Sequence, residues 1–205
     1  MVICSINEIT VSIFIHLEEN TMLNNKPLTI VLLVGMILVP GVLLSEDSGI
    51  TESRHSIEFS PMSPLFNIYA LQYNYRMTSS DELILGVAYT NIQYDFGETN
   101  AATAIIGYRR FFWKNLHIDY QLWLDYDRFY EKNEDRYYRG VDVWNEFRLG
   151  YRFDFTLVRL PAFINLQWPF GFGLYAQNKP ESFKEHEKDN RFFYFPPMFF
   201  FGIRF

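Results

Sequence analysis

Leu116–Tyr126 reads LHIDYQLWLDY, and the alternation within it decides the fold. Leu116, Ile118, Tyr120, Leu122, Leu124 and Tyr126 form one set, wholly apolar or aromatic. His117, Asp119, Gln121, Trp123 and Asp125 form the other, nearly all polar. Successive side chains of a β-strand point to opposite faces, so a period of two describes a strand between two different environments. Helical spacing would mix the two sets.

The same period recurs along the chain. Val141–Phe155 sets Val141, Val143, Asn145, Phe147, Leu149, Tyr151, Phe153 and Phe155 against Asp142, Trp144, Glu146, Arg148, Gly150, Arg152 and Asp154. In Asn67–Met77, Tyr69, Leu71, Tyr73, Tyr75 and Met77 oppose Ile68, Ala70, Gln72, Asn74 and Arg76. Leu83–Tyr89 and Leu166–Leu174 repeat the pattern with Gly and Ala on the smaller face. Pro161 and Pro169 interrupt it, since proline removes a ladder donor and belongs at edges or bulges.

Two architectures place such strands. A soluble sandwich buries the apolar face and wets the polar one. A transmembrane barrel turns the apolar face to lipid and fills its interior with small and polar groups. The apolar faces here run for six to eight alternate positions, longer than the ~5–6 residues of an ordinary strand. The polar faces mix charge with Gly and Ala, as a crowded interior would, and aromatics gather near strand ends, as at membrane interfaces. Aromatics make up 19% of the chain, with 21 Phe and 14 Tyr, far above ordinary use. A formal charge of −6 argues against binding nucleic acid through its phosphates. The lone Cys4 excludes a disulfide framework and a Cys-rich metal site, and the four His have no ligand spacing.

Turn residues divide the chain into eight expected strands, near 55–60, 65–77, 82–93, 101–112, 116–129, 141–155, 159–175 and 191–205. Short turns are expected at Thr78–Asp81, Trp113–Asn115 and Thr156–Val158, and long connections at Asp95–Asn100, Glu131–Gly140 and Ala176–Asn190. Alternating short and long connections are those of an up-and-down barrel with short inner turns and longer outer loops. The expected class is therefore all-β: an eight-stranded antiparallel transmembrane β-barrel over 46–205, following an N-terminal signal segment.

That segment is Leu28–Leu44, LTIVLLVGMILVPGVLL, uncharged and preceded by Lys26. Its length and Pro40 suit an export signal over 22–45 better than an anchor, which needs ~20 apolar residues. Residues 1–21 carry Glu8, Glu18 and Glu19 ahead of it, which signals do not do, so they read as an upstream extension with Met22 as the start. No Cys follows for lipid attachment.

The chain closes Phe199-Phe200-Phe201-Gly202-Ile203-Arg204-Phe205, with Phe199, Phe201, Ile203 and Phe205 on one face. This resembles the terminal strand of bacterial outer-membrane β-barrel proteins. The resemblance implies an outer-membrane address and makes Phe201, Ile203 and Phe205 the signal read by the barrel assembly machinery.

An eight-stranded barrel is just wide enough for side chains to fill it. Arg76, Asp119, Gln121, Glu146, Arg148, Arg152 and Asp154 are expected to form a polar network in that interior, joined by Gln72, Asn74, Asn165, Gln167, Arg109 and Arg204. Arg76, Asp119, Arg152 and Asp154 should lie at similar heights near the inner end, with His117 beside Asp119. Such a plugged tube has a structural or surface-binding role without catalysis, needs no cofactor or metal, and contacts outer-membrane lipid and lipopolysaccharide as a monomer. Two other readings stay open. One is a lipid-modifying outer-membrane enzyme of the lipid A deacylase or acyltransferase type, for which only Ser182, His186 and the carboxylates around them offer the residue types. The other is a secreted soluble ligand-binding barrel. The loop Asp127–Arg139 interleaves charge with Phe129, Tyr130, Tyr137 and Tyr138, so Arg136 and Arg139 suit lipopolysaccharide phosphates.

Overall fold

The computed structural model describes residues Ser53–Phe205. The extension over 1–21, the export signal over 22–45 and the first residues after it lie outside the described residues. Nine strands follow in order: β1 His55–Phe59, β2 Ile68–Arg76, β3 Asp81–Tyr94, β4 Gly97–Trp113, β5 Leu116–Glu131, β6 Arg136–Leu157, β7 Leu160–Gln177, β8 Phe192–Tyr194 and β9 Met198–Arg204. Each pairs antiparallel with its neighbour, and the sheet closes on itself. β6 meets β7 through a register running from Val141↔Gln177 to Leu157↔Leu160. β7 pairs with β9, and β9 pairs with β1. The result is a ring of eight strands, with β8 a short extra pairing on β7.

The alternation sorts the side chains as the sequence predicts. On β5, His117, Asp119, Gln121 and Asp127 are buried while Ile118, Tyr120, Leu124 and Tyr126 are exposed. Asn145 breaks the apolar face of β6, and the structure accounts for it. A bulge at Val143/Trp144 shifts the register against β7, and Asn145 Oδ1 accepts the backbone N–H of Phe172 at 3.4 Å. A buried amide can sit on an outward position when it satisfies a backbone group there.

Several expected boundaries move. The second strand starts at Ile68, because Ser63–Phe66 forms a 3₁₀ turn that ends at Asn67 with φ 56°. The long connection expected at Asp95–Asn100 is a tight turn of Asp95 and Phe96, and that at Glu131–Gly140 contracts to Lys132–Asp135. Ladder hydrogen bonds do not depend on side-chain polarity, so polar strand ends continue the hairpins well past the apolar stretch. Strict alternation of short and long connections therefore fails. The expected long loop at Ala176–Asn190 contains helix α1, Glu181–Asp189. The expected last strand divides into β8 and β9 at Pro196 and Pro197, which cannot donate to a ladder.

At the opposite end from α1, Val158 and Arg159 alone join β6 to β7, both at positive φ (46° and 71°). Two-residue hairpins want that backbone, but Asn-Gly adopts it without the Cβ clash that a β-branched residue suffers. Val158→Asn combined with Arg159→Gly should raise the unfolding free energy by roughly 1–3 kcal/mol, read as a later urea midpoint.

Candidate functional site

The interior of the ring holds a connected ionic network, with Arg109 at its hub. Its guanidinium is fully buried and spends all five N–H donors on carboxylates. Nε and Nη2 reach the two oxygens of Asp119, each at 2.7 Å. Nη2 and Nη1 reach Glu58 at 2.7 and 3.2 Å, and Nη1 also reaches Glu82 at 3.3 Å. The strands alone bring these together, since β1, β3, β4 and β5 each contribute one inward residue.

Arg152, from β6, forks onto Glu82 with two bonds of 2.7 Å and donates through Nε to Asn165 at 3.2 Å. Its guanidinium carbon lies 4.6 and 4.4 Å from the ring centroids of Phe111 and Phe163, within the range of cation–π attraction. Asn165 passes the connection on to Glu58 at 2.8 Å, and Gln167 joins Asp119 at 3.2 Å to Arg148 at 3.2 Å. Arg148 pairs with Glu146 on its own strand, and Arg76 donates to Glu82 at 3.0 Å. His117 Nδ1 lies 2.9 Å from Asp119, and Gln72 donates to Gln121 at 3.0 Å.

Four guanidiniums (Arg76, Arg109, Arg148 and Arg152) thus face four carboxylates (Glu58, Glu82, Asp119 and Glu146), so the network is charge-balanced. Buried ions without partners are expelled or neutralised; a matched lattice can stay dry and ionic. Every carboxylate in it is engaged by at least one guanidinium.

The network includes most of the expected residues. Asp119, Glu146, Arg148 and Arg152 are buried in it, and Gln121 is buried beside it, accepting from Gln72 and Trp123. Arg76, half-buried, joins the network through Glu82. One expectation needs correction: Asp154 is exposed at the rim, where it holds Arg204 instead of entering the lattice. By that point β6 has run past its β5 neighbour, whose register ends at Leu116↔Tyr151. Glu58 and Glu82, both hubs, were not among the expected residues. Continuing Ile84-Gly86-Ala88 back by two would have reached Glu82, and the parity of Ser56 and Ser60 points to Glu58. His55, for which the sequence offers no partner, meets the Tyr73 hydroxyl at 2.6 Å.

At the other end, α1 folds back over the mouth of the ring. Phe183 is buried against Tyr94, Phe96 and Phe129, with ring centroids 4.9–5.6 Å apart. Lys179 binds Asp142 at 2.5 Å and Glu187 at 2.6 Å, tying the segment to β6. Burial opposes the charge on Lys179, but the two carboxylates outweigh it and hold its pKa above the ordinary lysine value. Ser182 donates to Glu131, while the His186 ring packs on Tyr94 and Phe96, 4.9 and 5.5 Å between centroids. Ser182 and His186 stand four residues apart on α1, and no hydrogen bond joins them among the described residues.

Comparison with family profiles, curated proteins and solved structures returns no match for this chain.

Proposed function

We propose that the chain is an integral β-barrel of the bacterial outer membrane, plugged by its ionic interior, with a structural or surface-binding role. One observation carries this reading: the distribution of polarity is inverted. Among the described residues, 23 buried positions are polar or charged and 11 are hydrophobic. Large apolar side chains meanwhile face outward all round the ring, from Ile57 on β1 through Leu85, Ile106, Leu124, Leu149 and Trp168. In water that arrangement forfeits the hydrophobic driving force for folding; in a bilayer it satisfies both solvents. Ring closure gives each of the eight strands a hydrogen-bonded neighbour on both sides over at least part of its length, which supports a membrane-spanning sheet. Tyr69, Tyr89, Tyr126 and Tyr175 lie near one end of the apolar band, as an interfacial girdle would. Its partners are then outer-membrane lipid and, through Phe201, Ile203 and Phe205, the assembly machinery.

Envelope fractionation with gel electrophoresis tests the proposal. The mature chain should sediment with outer membrane, require detergent for extraction and run faster unheated than boiled. Recovery of folded chain from the soluble fraction would refute it.

A further inference from the structure

The outward face of the β5–β6 hairpin carries an arginine pair with no counter-ion. Arg128 and Arg139 stand directly opposite in the register, both exposed. Like charges in that relation repel. Among the described residues neither forms an ion pair. The carboxylates at the hairpin tip are engaged elsewhere: Asp135 accepts from the Tyr130 hydroxyl at 2.8 Å, and Glu134 from that of Tyr138. On the β4 side the register neighbour of Arg128 is Asn100, whose side chain accepts from Tyr89 at 2.9 Å. Arg128 is held in place, its guanidinium carbon 4.0 Å from the centroid of Tyr137.

The pair also has a definite height. On the same face, the next residues toward the ring are Tyr126 and Val141, directly opposite each other and both exposed. One outward step along a strand is about 7 Å, so the guanidiniums project just beyond the apolar band, at headgroup level.

Taking the barrel reading as its basis, we infer that Arg128 and Arg139 together seat the phosphomonoester of an anionic membrane lipid in the outward leaflet. Two guanidiniums match a dianionic phosphomonoester in charge, and a monoanionic phosphodiester neutralises only one of them. Tyr126, Tyr130 and Tyr137 flank the seat with rings that suit the boundary between acyl chain and headgroup.

The test uses the folded chain in phosphatidylcholine nanodiscs doped with either phosphatidic acid, a phosphomonoester, or phosphatidylglycerol, a phosphodiester. Native mass spectrometry reads the lipid retained. Wild type should retain phosphatidic acid preferentially. Arg128→Gln and Arg139→Gln should each lower that retention by about fivefold and together abolish the preference. Inorganic phosphate at equal concentration should not displace the lipid. Equal retention by wild type and the double variant, no preference between the two lipids, or displacement by inorganic phosphate would each overturn the assignment. Both arginines lie outside the ionic interior, so the double variant should keep its unheated gel mobility. If wild type itself fails to insert, the barrel reading fails, and that outcome is distinct from insertion without lipid preference.

Discussion

Arg109→Met should unfold this protein more readily than any other single change in its interior. The side chain is replaced by one of comparable length, so packing changes little, but three carboxylates lose their common partner. Glu58 and Asp119 would be left buried with only amide and imidazole neighbours, while Glu82 keeps Arg152 and Arg76. Removing one member of a buried ion network costs ~3–5 kcal/mol, because the remaining charge has no water to return to. Urea unfolding of vesicle-inserted protein should show the loss directly. A compensating set sharpens the point. Glu58→Gln and Asp119→Asn added to Arg109→Met remove the stranded charges and should recover most of the stability. The three effects are then strongly non-additive, as expected of side chains sharing one network. Equal and additive losses would mean that the interior admits water and the lattice contributes little.

How much of this was legible in the sequence follows from which physical signal each feature leaves. Strand identity and facing were legible because a period of two survives even where residues are unusual, as Asp119 and Ile118 illustrate. The eight-membered ring was legible because turn residues punctuate the chain. Hairpin lengths were not, since Thr99 and Glu131 continue a ladder without any apolar signature. α1 was not, because Glu181–Asp189 carries one apolar residue, Phe183, and that residue packs on aromatics from two strands and the turn between β3 and β4. The network was legible as a list of inward polar residues. Its wiring was not, because partners such as Glu58 and Arg109 are 51 residues apart and meet only once the ring has closed. The rim position of Asp154 likewise depends on strand tilt and ring height, which no single segment records.

The second large effect should appear on the outside of the ring, at Leu85. Its side chain is 42% exposed and sits mid-strand on β3, opposite Tyr73 on β2 and Ile106 on β4, with Val87 beyond it at 63%. Were this face in water, Leu85→Arg would be a surface substitution, within about 0.5 kcal/mol of neutral. Facing the bilayer midplane, the same arginine costs ~2–4 kcal/mol, and insertion into vesicles falls accordingly. The adjacent inward residue supplies the control. Ile84 is fully buried, so Ile84→Arg should destabilise the protein in either solvent, adding a charge the balanced lattice cannot match. The informative quantity is thus the contrast between neighbours. A membrane ring is harmed at both positions, whereas a water-soluble ring tolerates Leu85→Arg and fails only at Ile84→Arg. Repeating the measurement at Val87 and at Tyr89, nearer the aromatic girdle, should give a cost that declines toward the rim. A penalty that depends on height along the strand cannot come from side-chain packing within the ring, because these side chains point away from it; it reports the depth of the surrounding hydrocarbon.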